Sequence, residues 1–173
     1  MHEEVANALL AQKQAIADLV TLEHYAAHPE FEARWGEAGK KKCREDALYH
    51  LLYLAEAIRF DAEELFVDYV AWAKILLLSL QISERDLSEN LEIVNSALEE
   101  VLSPEQFAVA GSFVAAGLRA LPNLPSQTKT FLPEGAPHRD LAEKWLGHLL
   151  RHEPREGRQL IFAAVKDGVP LQQ

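Results

Sequence analysis

The chain has 173 residues, a formal net charge of −10, a hydrophobic fraction of 49% and a charged fraction of 25%. This length predicts one domain, or one domain and part of a second, and the apolar content excludes a wholly disordered chain. Its one cysteine, Cys43, excludes an internal disulfide and a multi-cysteine zinc or iron–sulfur site. Because the sequence shows no disulfide framework and no signal peptide, we expect a cytoplasmic protein.

The charge is unevenly distributed along the chain. Residues 1–121 hold 10 Lys and Arg against 21 Asp and Glu, whereas residues 122–173 hold 7 against 6. An acidic surface repels phosphate backbones, so we expect no nucleic-acid partner. The one basic run, at residues 40–44, is interpreted as a solvated helix start.

The first predicted helix spans about residues 3–27 and ends before Pro29. A stripe along this helix advances by alternating steps of four and three residues and is mostly apolar. It consists of Val5, Leu9, Gln12, Ile16, Leu19 and Glu23, flanked by Ala8, Ala15 and Leu22. This spacing is typical of a helix that packs along another helix, in the same chain or in a second copy. We expect the chain to form a homo-oligomer through this face of the N-terminal helix.

Two further helices are predicted over about residues 40–60 and 61–81, after a short segment at 30–36. Asp61, with Glu64 three residues later, has the pattern of an N-terminal capping box. Residues 65–80 are almost all apolar, but this run is too short to cross a bilayer and carries two charges. It therefore predicts a central, buried helix and no membrane contact.

Two more helices are predicted to begin at serine residues. Ser83 precedes an amphipathic acidic segment, and Ser103 is followed by Pro104 and Gln106, a strong helix start. Gly111 and Gly117 lower the helix propensity of the last segment, which a close approach between helices would explain.

Four prolines between residues 122 and 137 mark a predicted linker. Two short helices follow, at about 139–151 and 154–167, with apolar faces that two helices alone cannot cover. No strand pattern is present, so the sequence predicts an all-α protein. We expect an antiparallel helical bundle of about six helices (1–121), a linker (122–137) and a two-helix C-terminal piece (138–173). This last piece is expected to be the start of a truncated module.

Three pairs at i, i+4 place two side chains on one helix face, where they could share a metal ion. They are His24/His28, Asp46/His50 and His148/His152. No motif specifies a third ligand, so we predict no metal site. The simpler interpretations are a solvated helix end for the first pair, a buried carboxylate–imidazole hydrogen bond for the second and a surface or interdomain role for the third.

Five residues in and near the second predicted helix are candidates for ligand binding. Asp46, Tyr49, His50, Tyr53 and Trp72 could line an apolar pocket between helices, although aromatic core packing is the simpler interpretation. No nucleophile, phosphate loop or zinc motif is present, and Cys43 is expected to be a buried, inert thiol. The sequence therefore predicts no catalytic residues and no enzyme.

Two stretches resemble parts of bacterial cobalamin-binding regulators. Residues 43–57 (CREDALYHLLYLAEA) and 65–72 (LFVDYVAW) resemble the helical sensory domain on the N-terminal side of such regulators. Residues 140–146 (DLAEKWL), with RQLI at 158–161 and DGV at 167–169, resemble the first two helices of the cobalamin-binding helical cap. That cap occurs in methionine synthase, corrinoid proteins and light-responsive cobalamin regulators.

The resemblance implies a non-enzymatic regulatory domain upstream of a cobalamin-binding module, acting in signalling or self-association. In that family the later helices of the cap and an Asp-x-His-x-x-Gly loop hold the corrinoid, and this sequence contains neither. We therefore expect no cofactor in this chain, cobalamin only in a longer protein, and no histidine here with a ligating role. The alternative is a helical bundle that senses a small molecule or cofactor itself and resembles a globin in having an apolar pocket between its helices.

Overall fold

The computed structural model describes residues 2–128 and 132–170. Across those residues every regular element is helical, and strands are absent, which confirms the all-α prediction. The elements are α1 (His2–Ala27), α2 (Glu30–Arg59), α3 (Glu63–Ser79), α4 (Glu84–Val101), α5 (Pro104–Ala120), a 3-10 turn (Leu121–Asn123), α6 (Arg139–Leu150) and α7 (Pro154–Lys166).

The chain divides into two compact units, residues 1–127 and 128–173. The first unit is a bundle of five helices and not of the expected six or so, because the segment at 30–36 is part of α2. In it α1 packs against α2, α4 and α5, and α3 packs against the same three helices. Its core is a single apolar cluster whose largest fully buried side chains are Phe66, Leu9, Ile16, Leu51, Leu54, Ile58, Leu87, Leu91, Leu98 and Leu121. Burial of these side chains is the main stabilising contribution to the bundle.

The helix starts expected at Ser83 and Ser103 are confirmed. Each serine hydroxyl accepts the backbone N–H of the third helical residue, whose own side chain accepts the serine N–H in return. The start expected at Asp61 is wrong, because Ala62 is the N-cap of α3. Asp61 instead adopts a left-handed conformation (φ 52°) and closes α2, with the N–H of Ala62 bonded to the carbonyl of Ala57.

The second helix begins earlier than predicted. It starts at Glu30 and includes the segment that the sequence separates from the helix at 40–60, with one interruption at Gly36. Gly36 has φ 53° and ψ −150°, a conformation that glycine adopts without a steric penalty. Lys40 bridges the interruption through an ion pair with Glu32 and also pairs with Glu37 in its own part of the helix.

The apolar stripe of α1 is used largely within the chain. Val5 is 4% exposed, and Leu9 and Ile16 are fully buried in the core of the bundle. Gln12 is exposed, and Leu22 beside the stripe is 68% exposed. These buried positions are occupied by contacts inside one molecule, so the expected oligomer interface cannot use them while the bundle stays folded.

The expectation that α3 is central and buried holds for one side of the helix only. Phe66, Val70 and Ala73 face the core, and the ring of Phe66 lies so close to Gly117 of α5 that a Cβ there would approach it to 3.1 Å. This close approach explains the glycine in α5. The other side of α3 is open to solvent, with Trp72 56% and Leu76 40% exposed.

A buried lysine joins α3 to the segment after α5. Lys74 is 2% exposed, and its Nζ donates to the carbonyls of Leu121 (2.9 Å) and Leu124 (2.8 Å) and pairs with Glu84 Oε2 (2.7 Å). The Leu121 carbonyl also accepts the N–H of Leu124 in the 3-10 turn at 3.2 Å, so Lys74 adds a second donor there and supplies one to the Leu124 carbonyl. Residues 122–124, expected to start the linker, therefore fold onto the bundle.

The second unit contains the α6–α7 helix pair. The connection between the helices is three residues long, and only Gly157 is buried in either helix, where a Cβ would lie 3.5 Å from the Trp145 ring. Large apolar side chains remain exposed on both helices: Trp145, Leu146, Leu149, Leu150 and Phe162. Among the described residues of either unit, no helix is long and apolar enough to span a bilayer.

Candidate functional site

A buried histidine–tyrosine pair lies between α2 and α3. His50 is 5% exposed and Tyr69 6% exposed, and a hydrogen bond of 2.9 Å joins Nδ1 of His50 to Oη of Tyr69. Burial lowers the pKa of His50 to about 4, against the opposing influence of Asp46 and Asn90. Burial also raises the pKa of Tyr69, so both groups are neutral near pH 7.

Asp46 is not the partner that the sequence suggested. The carboxylate bonds Lys42 Nζ at 2.8 Å and lies partly exposed, while His50 bonds Tyr69. The expected carboxylate–imidazole hydrogen bond is therefore wrong. Positions 46 and 50 do share one side of α2, but the contact with α3 supplies the imidazole with a neighbour that periodicity along α2 cannot reveal.

The other three predicted site residues form an outer surface. Tyr49, Tyr53 and Trp72 are 53%, 51% and 56% exposed. The ring of Tyr53 stacks on Tyr69 at 4.2 Å, and the Tyr69 ring lies 5.9 Å from that of Trp72. The structure thus brings the five residues to one region, with His50 sealed beneath the surface and the three aromatic side chains facing solvent.

The described surface cavities lie elsewhere. A cavity of about 570 Å³ between α1 and α2 is lined mostly by charged side chains, and one of about 350 Å³ follows α6. In the larger cavity Lys40 pairs with Glu32 and Glu37, and Arg44 pairs with Asp18. Two of its basic groups are thus paired within the chain, and Lys41 is exposed. The basic run 40–44 is solvated as expected but lies inside α2 and not at a helix start, and none of the five candidates lines either cavity.

The pair His24/His28 is more buried than expected. His24 is 9% exposed, its ring centre lies 5.1 Å from that of His28, and its Nδ1 is buried without a hydrogen bond. Burial and the neighbouring His28 lower the pKa of His24, while Asp86 and Glu89 on α4 act in the opposite direction. The expectation of a solvated helix end is wrong for His24, because the start of α4 covers this end of α1. Sequence spacing within α1 carries no signal for that contact.

The remaining candidates have structural roles. The thiol of Cys43 is half-buried, and burial raises its pKa to about 11, which leaves it a poor nucleophile. His148 pairs with Glu153 at 2.9 Å within the second unit, and His152 is exposed at the turn that follows α6. Among the side chains of residues 2–128 and 132–170, no group of three or more potential ligands could hold a metal ion.

His50 makes stability dependent on pH. The folded protein keeps this imidazole neutral down to a pKa of about 4, whereas an unfolded histidine has a pKa near 6.5. Between these values the unfolded chain binds the extra proton, so stabilisation that is complete above about pH 6.5 is lost as the pH falls towards 4. We expect a loss of about 3 kcal/mol over this range, measured by urea unfolding at several pH values.

The variant His50→Gln isolates this contribution from the carboxylates that titrate in the same range. We expect it to lower stability near pH 7 and to flatten the dependence on pH between about 6.5 and 4. His152→Gln, at an exposed position, serves as the matched control and should keep the parent slope. A slope in His50→Gln equal to that of the parent would contradict the assignment.

The chain was compared with protein-family models, curated proteins and solved structures. No family model, curated protein or solved structure matches the chain. The resemblance to cobalamin-binding regulators therefore stays a prediction.

Proposed function

We propose that the chain is a non-enzymatic regulatory domain that lies upstream of a cobalamin-binding module. In this proposal the bundle of α1–α5 receives or relays the signal through its surface. The pair α6–α7 forms the first two helices of the cap that covers the corrinoid in the longer protein.

The observation that carries the proposal is the uncovered apolar surface of the α6–α7 pair. Trp145 is 40%, Leu150 72% and Phe162 67% exposed, and no apolar side chain of either helix is buried. Helices with such faces normally pack against a further layer, because a contiguous exposed apolar patch is unfavourable in water. The sequence resemblance of these two helices to the start of a cobalamin cap is in accord with this.

The bundle itself supports a role without catalysis. Its polar pair, His50 and Tyr69, is sealed from solvent and neutral, so it is placed to stabilise the bundle and not to transfer a proton to a substrate. The alternative, a small-molecule sensor, needs Tyr49, Tyr53 and Trp72 to border an enclosed cavity. Because each of these side chains is more than half exposed, we place the regulatory proposal first.

Cobalamin titration tests the proposal. We expect this chain to leave the absorption spectrum of hydroxocobalamin or adenosylcobalamin unchanged, because a corrinoid needs a concave site that buries most of its surface. A longer product of the same reading frame, extending beyond residue 173, should give a saturable shift with one corrinoid per chain.

Two results would contradict the proposal. The first is a longer reading frame without an Asp-x-His-x-x-Gly loop whose product shows no spectral shift. The second is a saturable shift with the present chain alone, which would make it a binding domain in its own right. In that case His50→Ala and His148→Ala would identify the ligating imidazole.

A further inference from the structure

An exposed aromatic surface extends along α2 and α3. We call it the α2–α3 face and define it by Tyr49, Tyr53, Leu65, Trp72 and Leu76, which are 40–56% exposed. These five side chains belong to two neighbouring helices that pack against each other through His50, Tyr53 and Tyr69. The buried Tyr69 ring lies 4.2 Å from the ring of Tyr53 on α2 and 5.9 Å from that of Trp72 on α3, and so connects the exposed rings of the two helices from beneath.

The composition of this face is that of a protein-binding surface. Tyr and Trp are the residues most enriched among those that dominate binding energies, and a contiguous apolar patch on a soluble domain indicates an interaction site. The ring of Tyr53 is held in place from below, because it stacks on Tyr69 and Tyr69 is bonded to His50. Such pre-positioned anchors lose little conformational entropy when a partner binds.

The rim of the face is acidic. Glu45 lies one turn before Tyr49 on α2, Asp68 lies one turn before Trp72 on α3, and both residues are exposed. The neighbouring basic groups of α2 are already paired, Lys42 with Asp46 at 2.8 Å and Arg59 with Glu56 at 3.5 Å. The rim therefore carries an excess of negative charge, within a segment 1–121 whose 21 Asp and Glu outnumber its 10 Lys and Arg.

We propose that the α2–α3 face docks a basic amphipathic helix of a partner protein. The apolar side of such a helix covers the aromatic side chains, and its Lys and Arg side chains meet the acidic rim. A helix is the fitting element because the described bundle offers no strand edge for main-chain pairing, and a helix satisfies its own backbone hydrogen bonds.

The charge of the rim argues against two other occupants. A second copy of the chain would bring the same acidic rim against the first and be repelled, and an anionic membrane surface would be repelled for the same reason. The interaction is thus with a partner of opposite charge. It does not depend on the cobalamin proposal, which rests on α6 and α7.

A designed peptide tests the proposal on the complete chain. The probe is a fluorescently labelled helix of about 18 residues with Leu at i, i+3, i+4 and i+7 and Lys on its polar side. A second peptide replaces every Lys by Glu and keeps the apolar side. We expect anisotropy titrations to show saturable binding of the Lys peptide, weakened by salt, and at least tenfold weaker binding of the Glu peptide.

Protein variants localise the binding. Trp72→Ala combined with Tyr49→Ala should weaken the Lys peptide about tenfold or more, since both side chains are exposed anchors. Leu22→Ala removes a 68% exposed side chain from α1 and is the matched control, expected to bind like the parent. Circular dichroism melts establish that each variant is folded.

Several outcomes would overturn the proposal. These are absence of binding, equal binding of the Lys and Glu peptides, or equal weakening by Leu22→Ala and by the double variant. A parent chain that dimerises in sedimentation, with the dimer lost in the Trp72→Ala/Tyr49→Ala variant, would assign the face to a second copy instead. If the parent chain binds anionic vesicles and the same double variant does not, the α2–α3 face would be assigned to a membrane surface.

Discussion

Replacing Leu9 and Ile16 together by glutamate is expected to unfold the bundle. Both side chains are fully buried in the core formed with α2, α4 and α5. Each substitution removes about 2 kcal/mol or more of stabilisation from apolar burial. It also buries a carboxylate among apolar side chains without a hydrogen-bond or ion-pair partner, which costs several kcal/mol more. The sum approaches the whole stability of a typical domain, about 5–15 kcal/mol. Circular dichroism should show loss of the cooperative thermal transition.

The matched control carries the same two charges on the same helix. Gln12 and Ala15 are exposed, so Gln12→Glu combined with Ala15→Glu should melt within a few degrees of the parent. A Leu9→Glu/Ile16→Glu protein that stays folded and changes from dimer to monomer in sedimentation would contradict the expectation. It would mean that this face of α1 joins two chains instead of packing within one.

Lys74→Met is expected to destabilise the bundle by about 3 kcal/mol. Methionine fills a similar volume but cannot donate to the carbonyls of Leu121 and Leu124, which the ammonium group bonds at 2.9 and 2.8 Å. The Leu124 carbonyl would lose this donor, the Leu121 carbonyl would keep only the N–H of Leu124, and Glu84 would lose the opposite charge 2.7 Å away. Urea unfolding monitored by circular dichroism measures the change, and we expect the melting temperature to fall by about 10 °C.

Two variants separate the causes of this loss. Lys41→Met removes an exposed ammonium from α2 and should leave stability nearly unchanged. Glu84→Gln keeps the carbonyl bonds to Lys74 and removes only the ion pair, whose carboxylate is 40% exposed, so its effect should be clearly smaller than that of Lys74→Met. Equal stability of Lys74→Met and the parent would show that the buried bonds contribute nothing to folding.

Local patterns in the sequence were sufficient to predict most of the helices and several of the residues at which they begin or end. Apolar periodicity predicts the helices of the bundle and the C-terminal pair, because one face of each must be buried, but it separates residues 30–36 from α2 and so counts about six bundle helices instead of five. Ser83 and Ser103 mark helix starts because the capping hydrogen bonds span only three residues, and sequence displays them directly. Asp61 has the same pattern but closes the preceding helix, since the turn between α2 and α3 needs a left-handed residue there.

The candidate site was predictable only in part, because its chemistry depends on contacts between helices. Asp46, Tyr49, His50, Tyr53 and Trp72 were recognisable as a group, and they do lie in one region of α2 and α3. Which of them is buried was decided by packing, which bonds His50 to Tyr69 and leaves the aromatic neighbours exposed. The burial of His24 beneath the start of α4 likewise has no signal within α1.

By itself the sequence determined the all-helical class, the helical periodicity and the uneven distribution of charge, because each depends on residue types and on spacing within one segment. Tertiary structure alone decided what each helix face contacts. It buried the stripe of α1 inside the chain, it drew Lys74 to the carbonyls after α5, and it left the outer side of α3 open. These outcomes depend on how distant segments pack around one core, and no spacing along a single helix encodes that geometry.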